Sequence, residues 1–580
     1  MRVLMLHPED VPWHGEWAAA HWDLIVDLGF AGASVYQDWG KRTGARVISL
    51  RQFAGQTESY RWVNQVLEAG RGKFLDRIGL DWWEMLASWS YHELQALYLL
   101  QRLWQELRCG PVELVATRAH SHVQLLSTIV GSPVRCVGSQ PLSSRGFVSR
   151  TFAAARNLRP AQIVEIAFDK WDPSFRLRSR VAKHRRAQPE EPVFLLPSAY
   201  SNVTRTQLAY AAQLPNRRFL LATTRRSGES KDLPPNVISV SLAAYAKDSG
   251  ETERETAELI KAWNVLSAEL TKVEELRLGF QAKLWEYFPR HLTSGLLVRD
   301  AWHRLMSTEP VRGVLCGDDL NYYTRLPLIL AKRMGRKAVY CYHGALDGGL
   351  LFKKAYASLH LVKGEMERAY MIQASGEGLE RIEIAAPAEA SHDDGRTNDA
   401  SAGDIVLFSQ PYEVYDGRTE EIYREILPPL VSVAQRLNRK IVVKLHPFES
   451  RRVRDRVLRS VLPAEHYARV EISNAPASEI FPRTFCGIGL DSSVAVECAQ
   501  RAIPYFLCGW LDFNGFGYMQ HFARFGAGTL LKAPNEILSI PQRLSEFKPD
   551  RSTIQRLWQP MDDTRLDEIM FGSAAVLTPN

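Results

Sequence analysis

The chain lacks the features that mark disulfide-rich, zinc-binding and membrane-spanning proteins. Its 580 residues include 7 cysteines and no Cys-x-x-Cys pair, so buried free thiols are predicted rather than a disulfide framework or a zinc site. No apolar run reaches the roughly 18 residues that a transmembrane helix needs. The N-terminus, MRVLMLHPED, becomes polar too early for a secretory signal. These absences predict a cytoplasmic protein.

Signatures of nucleic-acid binding are also missing, since there is no zinc finger, RNP motif or basic strip interleaved with aromatics. The net charge of +7 comes partly from a basic cluster between residues 145 and 186. Such a cluster is usually a solvated surface, and it also suits anionic lipid headgroups or a phosphorylated glycan. We therefore expect no nucleic-acid partner and allow peripheral contact with the inner membrane surface.

Short apolar runs alternate with helical patterns, which is typical of parallel α/β layers. A chain of 580 residues exceeds the size at which a single core stops growing, so several domains are expected. The predicted strands are 3–6, 24–28, 47–50, 114–116, 134–137, 193–196, 219–222, 314–316, 338–342, 358–362, 382–386 and 486–490, with a further one beginning at 405. A helix beginning near Arg205 is expected to be capped from within Ser201 to Thr204.

The pattern also suggests domain boundaries. Residues 1–390 are assigned to an N-terminal Rossmann-like domain with a helical insertion at about 251–305. The polar stretch 391–404 is assigned as a linker, and 405–550 as a second Rossmann-like domain. Residues 551–580 are assigned as a helical segment that can return to the first domain.

Two polar clusters end predicted strands in the C-terminal half. IVVKLHPFES places Lys444, His446 and Pro447 after one strand, and FCGIGLDSSVAVECAQ places Ser492 and Ser493 after another. Parallel sheets bind ligands at the carboxyl ends of their strands. A serine hydroxyl can cap the helix that follows or help to seat an anion, and an imidazole can donate to a phosphate. Together, the two polar clusters predict a nucleotide-binding site.

This pair resembles the HP and SS motifs of bacterial sialyltransferases and of the capsule and lipopolysaccharide Kdo transferases, which are glycosyltransferases of the GT-B fold. The resemblance covers about 110 residues around these motifs. It implies two Rossmann-like domains that face each other across a cleft, with the donor nucleotide mainly in the second. It also implies that His446, Ser492 and Ser493 hold the cytidine monophosphate part of a CMP-sugar, beside Lys444 and Pro447. By the same analogy, Glu497 accepts the ribose hydroxyls, although an exposed helix residue is an equal alternative.

For the base or nucleophile, the candidates are Asp318 and Asp319, because an acidic pair at a strand end can raise one pKa and leave the other carboxyl ionised. Helix capping is the rival interpretation. His343 with Gly344 resembles a His-Gly of related polysaccharide transferases, or is a structural histidine. Asp10 is a further acid candidate on the acceptor side, in a loop whose other polar and aromatic residues are Glu9, Trp13, His14 and Glu16.

The resemblance implies a donor of the Kdo or sialic-acid type, a glycan or lipid-linked acceptor, and a role in surface polysaccharide synthesis. No cofactor is expected. The Asp-x-Asp spacing of metal-dependent glycosyltransferases is missing, so no metal is expected either. A teichoic-acid-type glycerophosphotransferase, a UDP-sugar transferase or epimerase, and a non-catalytic nucleotide-sugar-binding protein remain alternatives. Whether the sugar's configuration is retained or inverted is left open.

Overall fold

The structure is a computed structural model that describes most of the chain. The described residues are 1–52, 56–87, 90–137, 175, 191–225, 228–247, 250–319, 322–344, 356–375, 382–388, 403–490, 492–512, 517–548 and 550–572. The predicted basic cluster, apart from Phe175, lies outside them, as do Asp491 and residues 391–402. Within these ranges, no helix has both the length and the apolar character needed to cross a membrane.

The chain divides into two compact units that each collect distant parts of the sequence. Unit 1 takes the described residues within Met1–Asn64, Tyr91–Pro160 and Asp393–Ile554. Unit 2 takes those within Gln65–Ser90, Ala161–His392 and Gln555–Asn580.

The first sheet belongs to unit 1 and has five parallel strands in the order β3-β2-β1-β4-β5. Its strands are β1 (Arg2–Leu6), β2 (Leu24–Asp27), β3 (Arg46–Ser49), β4 (Glu113–Ala116) and β5 (Arg135–Cys136). The helices of this part of the chain are α1 (Ala33–Thr43), α2 (Gln56–Glu68), α3 (Trp82–Ala87), α4 (Tyr91–Leu107) and α5 (Ser121–Val130). The central β1 is apolar and largely buried, as expected for a strand that is covered on both faces.

The second sheet forms unit 2 and has seven parallel strands in the order β12-β11-β10-β9-β6-β7-β8. Its strands are β6 (Val193–Ser198), β7 (Arg218–Thr223), β8 (Val237–Ser241), β9 (Val311–Cys316), β10 (Lys337–Cys341), β11 (Leu359–Val362) and β12 (Ile382–Ile384). The helices are α6 (Ser201–Gln213), α7 (Gly250–Leu270), α8 (Glu274–Gln281), α9 (Phe288–Thr308), α10 (Tyr322–Arg333) and α11 (Glu365–Ser375). Helices α7 to α9 confirm the helical character predicted for residues 251–305.

The third sheet belongs to unit 1 and has six parallel strands in the order β15-β14-β13-β16-β17-β18. Its strands are β13 (Asp404–Phe408), β14 (Ile441–Lys444), β15 (Val470–Ser473), β16 (Thr484–Gly489), β17 (Tyr505–Cys508) and β18 (Thr529–Leu531). The helices are α12 (Thr419–Arg436), α13 (Arg451–Val461), α14 (Ala464–Tyr467), α15 (Ala477–Ile480), α16 (Val494–Gln500), α17 (Tyr518–Arg524) and α18 (Ile540–Glu546). The chain ends with α19 (Arg551–Leu557) and α20 (Asp563–Phe571).

The last helix packs into the core of unit 2. Leu566, Ile569 and Met570 of α20 lie in one buried cluster with Phe194 of β6 and Phe219 of β7. A parallel bridge between Ala386 and Pro560 precedes this helix. The C-terminal segment therefore belongs to the seven-stranded sheet rather than to the sheet that precedes it in sequence.

Within unit 1, the five- and six-stranded sheets are joined by buried polar contacts. Arg418 is 4% exposed, and its guanidinium donates to the Asp27 carboxylate at 2.6 Å and to the His7 carbonyl at 2.8 Å. Burial, the largest single influence, would lower the pKa of Arg418, but the charge and hydrogen bonds of Asp27, together with the charge of Glu421, outweigh it, and the pKa is raised. On α12, Glu425 accepts from Ser34 and from the Trp510 indole N–H. The five-stranded sheet at the start of the chain and the six-stranded sheet, which begins after residue 403, are thus joined within unit 1.

All three sheets repeat the strand order of the Rossmann fold, 3-2-1-4-5, when strands are numbered from the first of each sheet. The predicted α/β class with Rossmann-like domains is therefore confirmed. Residues 1–390, which the pattern assigns to one domain, hold two of these sheets. The predicted cap of α6 is wrong: the helix begins at Ser201, and its N-cap residue Tyr200 makes no side-chain capping bond.

Candidate functional site

The candidate site lies at the carboxyl edge of the six-stranded sheet. Strand order reverses at β13, because the chain adds β14 and β15 on one side of it and then β16 on the other. Ligands of open α/β sheets bind in the crevice at such a switch point. Lys444, Phe408 and Gly489 are register partners, so the ends of β14, β13 and β16 are level. The ends of β14 and β16 are separated by two strand spacings and are therefore about 10 Å apart.

Strand β14 ends at the predicted Lys444, and the loop after it carries the predicted His446 and Pro447. Burial, followed by the charge of Lys444, lowers the pKa of His446 from 6.5. The imidazole Nδ1 accepts the Phe448 N–H at 3.3 Å, which leaves the proton of the neutral ring on Nε2. Burial also lowers the pKa of Lys444. The loop therefore offers a neutral imidazole donor beside a lysine, while Pro447 is exposed.

Glu449 fixes this loop to the end of β13. One carboxylate oxygen accepts the His446 backbone N–H at 2.7 Å, and the other accepts the Ser409 hydroxyl at 2.8 Å and Arg454 Nε at 2.5 Å. Arg454 is 3% exposed and also binds Glu413 through two nitrogens. Burial raises the pKa of Glu449, and Arg454 opposes that rise. Such a buried and multiply bonded carboxylate holds its neighbours in a single arrangement.

Sequence reasoning missed Glu449 and Arg454. A sequence signal for Glu449 exists, because it stands three residues after His446, and a carboxylate at that spacing can accept the His446 N–H within one turn. Arg454 carries no such signal, since it is one of five arginines in α13 and only the fold decides which of them is buried.

Ser492 and Ser493 follow β16, as predicted. The Ser492 hydroxyl accepts the Val494 N–H at 3.3 Å, whereas Ser493, the N-cap residue of α16, makes no side-chain capping bond. Both side chains are half-buried, and so is Glu497 on α16. Glu497 is therefore not the exposed helix residue that the alternative interpretation required. The order of strands brings these residues to the same edge as His446.

The predicted acids Asp318 and Asp319 lie at the switch point of the seven-stranded sheet, directly after β9. They are 3% and 7% exposed, respectively. The Asp318 carboxylate accepts the Thr324 hydroxyl at 3.4 Å, and the Asp319 carbonyl accepts Arg325 Nε at 2.8 Å. His343 Nδ1 contacts the Gly317 carbonyl beside the pair. The structure therefore brings the acidic pair and His343 together at one edge.

Two further side chains lie at this switch point and were not predicted. The loop after β6 presents Tyr200, whose hydroxyl accepts from the Arg225 guanidinium at 2.7 Å. Arg225 also lies over the rings of Tyr200 and Tyr323, 5.3 Å from each centroid. Arginine stacked on aromatics is suited to planar anions such as carboxylates. The sequence signal was weak, because the arginine and the tyrosines are far apart in the chain.

Asp10 lies at the switch point of the five-stranded sheet and is 5% exposed. One of its oxygens accepts from Arg118 at 2.6 Å; the other is buried and has no hydrogen-bond partner among the described residues. Arg418 binds the Asp10 and His7 carbonyls from below this loop. The backbone carbonyls of His7 and Asp10 are thus used to join the two sheets of unit 1.

The neighbours of Asp10 differ in environment. Glu9 is exposed and pairs with Arg118 at 3.2 Å, and His14 and Glu16 are exposed. Trp13 is half-buried and packs against the core of the five-stranded sheet.

The cysteines are free thiols, five of them buried and two, Cys109 and Cys136, exposed. This confirms the prediction of buried free thiols. In the part of the chain that the structure describes, no group of three His, Cys, Asp or Glu side chains could hold a metal ion.

No protein-family model and no curated protein matches the chain. Several solved structures match at low similarity. The UDP-GlcNAc 2-epimerase from Methanocaldococcus jannaschii is 10% identical, with 65% of this chain and 98% of that chain covered and a TM-score of 0.40. The wall teichoic acid polymerase TagF is 11% identical, with 73% and 96% covered and a TM-score of 0.37. CalG4, the calicheamicin glycosyltransferase, is 12% identical, with 66% and 94% covered and a TM-score of 0.35. Likeness at this level carries no argument about activity.

Proposed function

We propose that this chain is a glycosyltransferase of GT-B type that moves an acidic sugar, of the Kdo or sialic-acid class, from a CMP-sugar donor. The acceptor is a glycan or a lipid-linked glycan of a surface polysaccharide, met in the cytoplasm or at the inner membrane surface. The reaction uses no cofactor and no metal, because protein cations and hydrogen-bond donors carry the phosphate charge.

The observation that supports this proposal best is the level arrangement of three strand ends at one switch point. It brings Lys444, His446, Ser492 and Ser493 to a single edge of the six-stranded sheet. His446 Nε2–H and the serine hydroxyls are donors of the kind that a phosphate accepts. A phosphate bound above the end of β13 would lie between His446 on one side and Ser492 and Ser493 on the other.

The other candidate residues also have roles in the proposal. Glu497, half-buried on α16, accepts the ribose hydroxyls of the nucleotide. Asp318 or Asp319 supplies the base or nucleophile, and His343 beside them orients the donor's carboxylate or phosphate. Asp10 is the weaker acid candidate, because Arg118 already neutralises its charge.

The first experiment measures the thermal stability of the purified protein with CMP, CDP, UMP, UDP and GDP. A ligand that binds only the folded state raises the melting temperature. We expect selective stabilisation by CMP, and its loss in a Ser492→Ala/Ser493→Ala variant. Ser432→Ala is the matched control, because Ser432 is exposed and its hydroxyl bonds to its own helix.

The other outcomes separate the alternatives. Selective stabilisation by UDP or GDP would reject the CMP-sugar assignment in favour of a diphosphate-sugar transferase or epimerase. Selective stabilisation by CDP would favour a glycerophosphotransferase. Nucleotide binding without release of CMP from CMP-Kdo or CMP-sialic acid, with glycan acceptors supplied, would favour a non-catalytic binding protein.

A further inference from the structure

The loop after β14 also presents an aromatic ring to solvent. Phe448 is 77% exposed, which is the highest exposure of any large apolar side chain among the described residues. Its ring centroid lies 5.0 Å from that of His446, with the two planes tilted by 53°. The Phe448 N–H bond to His446 Nδ1 ties both rings to one turn. The exposed ring is thus held next to the imidazole proposed to bind phosphate.

The position of this ring suits the other end of a nucleotide. A phosphate held by His446 Nε2 places the sugar and base close to the same loop, because a mononucleotide is a short molecule. A nucleobase offers a flat, partly apolar face, and stacking on an aromatic side chain covers both surfaces. Glu449 accepts the His446 N–H at 2.7 Å and therefore keeps the loop in place before any ligand arrives.

We propose that Phe448 is the surface on which the nucleobase of the donor stacks. This inference rests on the proposed nucleotide site at the edge of the six-stranded sheet and adds the residue that binds the base. Stacking tolerates any base, so Phe448 contributes affinity for nucleotides in general, and the choice among bases depends on other groups.

The test compares two ligands in the full-length protein by isothermal titration: CMP, and ribose 5-phosphate, which lacks the base. We expect Phe448→Ala to weaken CMP binding at least fivefold, or about 1 kcal/mol, and to change ribose 5-phosphate binding less than twofold. Phe448→Trp should keep the affinity for CMP. Phe547→Ala is the matched control, because Phe547 is a 38% exposed phenylalanine of the same unit.

Two results would overturn the inference while leaving the nucleotide site intact. One is CMP binding by Phe448→Ala within twofold of wild type. The other is an equal loss for CMP and ribose 5-phosphate, which would mean that Phe448 shapes the loop rather than contacting the base. A wild-type protein that binds no nucleotide would instead reject the proposed function together with this inference. Because Phe448 is mostly exposed, its substitution is not expected to unfold the protein.

Discussion

The ion pair between Asp27 and Arg418 should be a main determinant of the stability of unit 1. The Asp27 side chain is fully buried and that of Arg418 is 2% exposed, with their closest atoms 2.6 Å apart. Asp27 also accepts the Tyr36 hydroxyl and the Gly29 N–H, each at 2.9 Å. Removing the carboxylate would therefore leave a buried guanidinium without its counter-charge and two further donors without their acceptor.

Asp27→Ala should lower the free energy of unfolding by about 3–5 kcal/mol, the usual cost of breaking a buried pair from one side. Arg424→Ala is the matched control, because Arg424 pairs with Glu420 at the surface, where a pair contributes about 0–1 kcal/mol. Urea unfolding followed by circular dichroism measures both. The double variant Asp27→Ala/Arg418→Met should be more stable than Asp27→Ala alone. A change below 1 kcal/mol in Asp27→Ala would refute the reasoning.

Four further predictions concern the site and the thiols. Glu449→Gln should weaken CMP binding about tenfold or more, since the loop loses its charged acceptor; unchanged affinity in titration calorimetry would contradict this. The pKa of His446 is lowered from 6.5 in the folded protein, so His446 binds a proton more tightly in the unfolded state. Lowering the pH below 6.5 therefore destabilises the folded protein, whereas above pH 6.5 this effect is absent. Between pH 7 and 5.5, the melting temperature of wild type should fall more than that of His446→Gln. Asp318→Asn/Asp319→Asn should abolish turnover of a CMP-sugar without changing CMP binding. Ellman's reagent should label two thiols in the native protein and seven after denaturation, as only two are exposed; fast labelling of more than two would contradict the buried positions.

Much of the fold and part of the site follow from local sequence patterns. Each predicted strand is a short apolar run between polar breaks, so its position depends on its own residues, and its predicted ends lie within three residues of the observed ones. Strands β8, β15, β17 and β18 were not among the predicted strands. His446, Ser492 and Ser493 were found for the same reason, since each stands within three residues of the end of an apolar run. A strand that is buried on both faces must be an apolar run, and the polar residues that end the run mark the carboxyl edge of the sheet.

The tertiary structure decided what distant residues do together. The alternation of strands and helices does not mark where one sheet ends and the next begins, so only the pairing of strands showed that residues before 390 hold two sheets. Arg418 is buried because Asp27, 391 positions earlier, neutralises its charge. Arg454 is buried among exposed arginines because Glu449 and Glu413 face it. Charged side chains are buried only where a partner meets them, and that meeting depends on the fold.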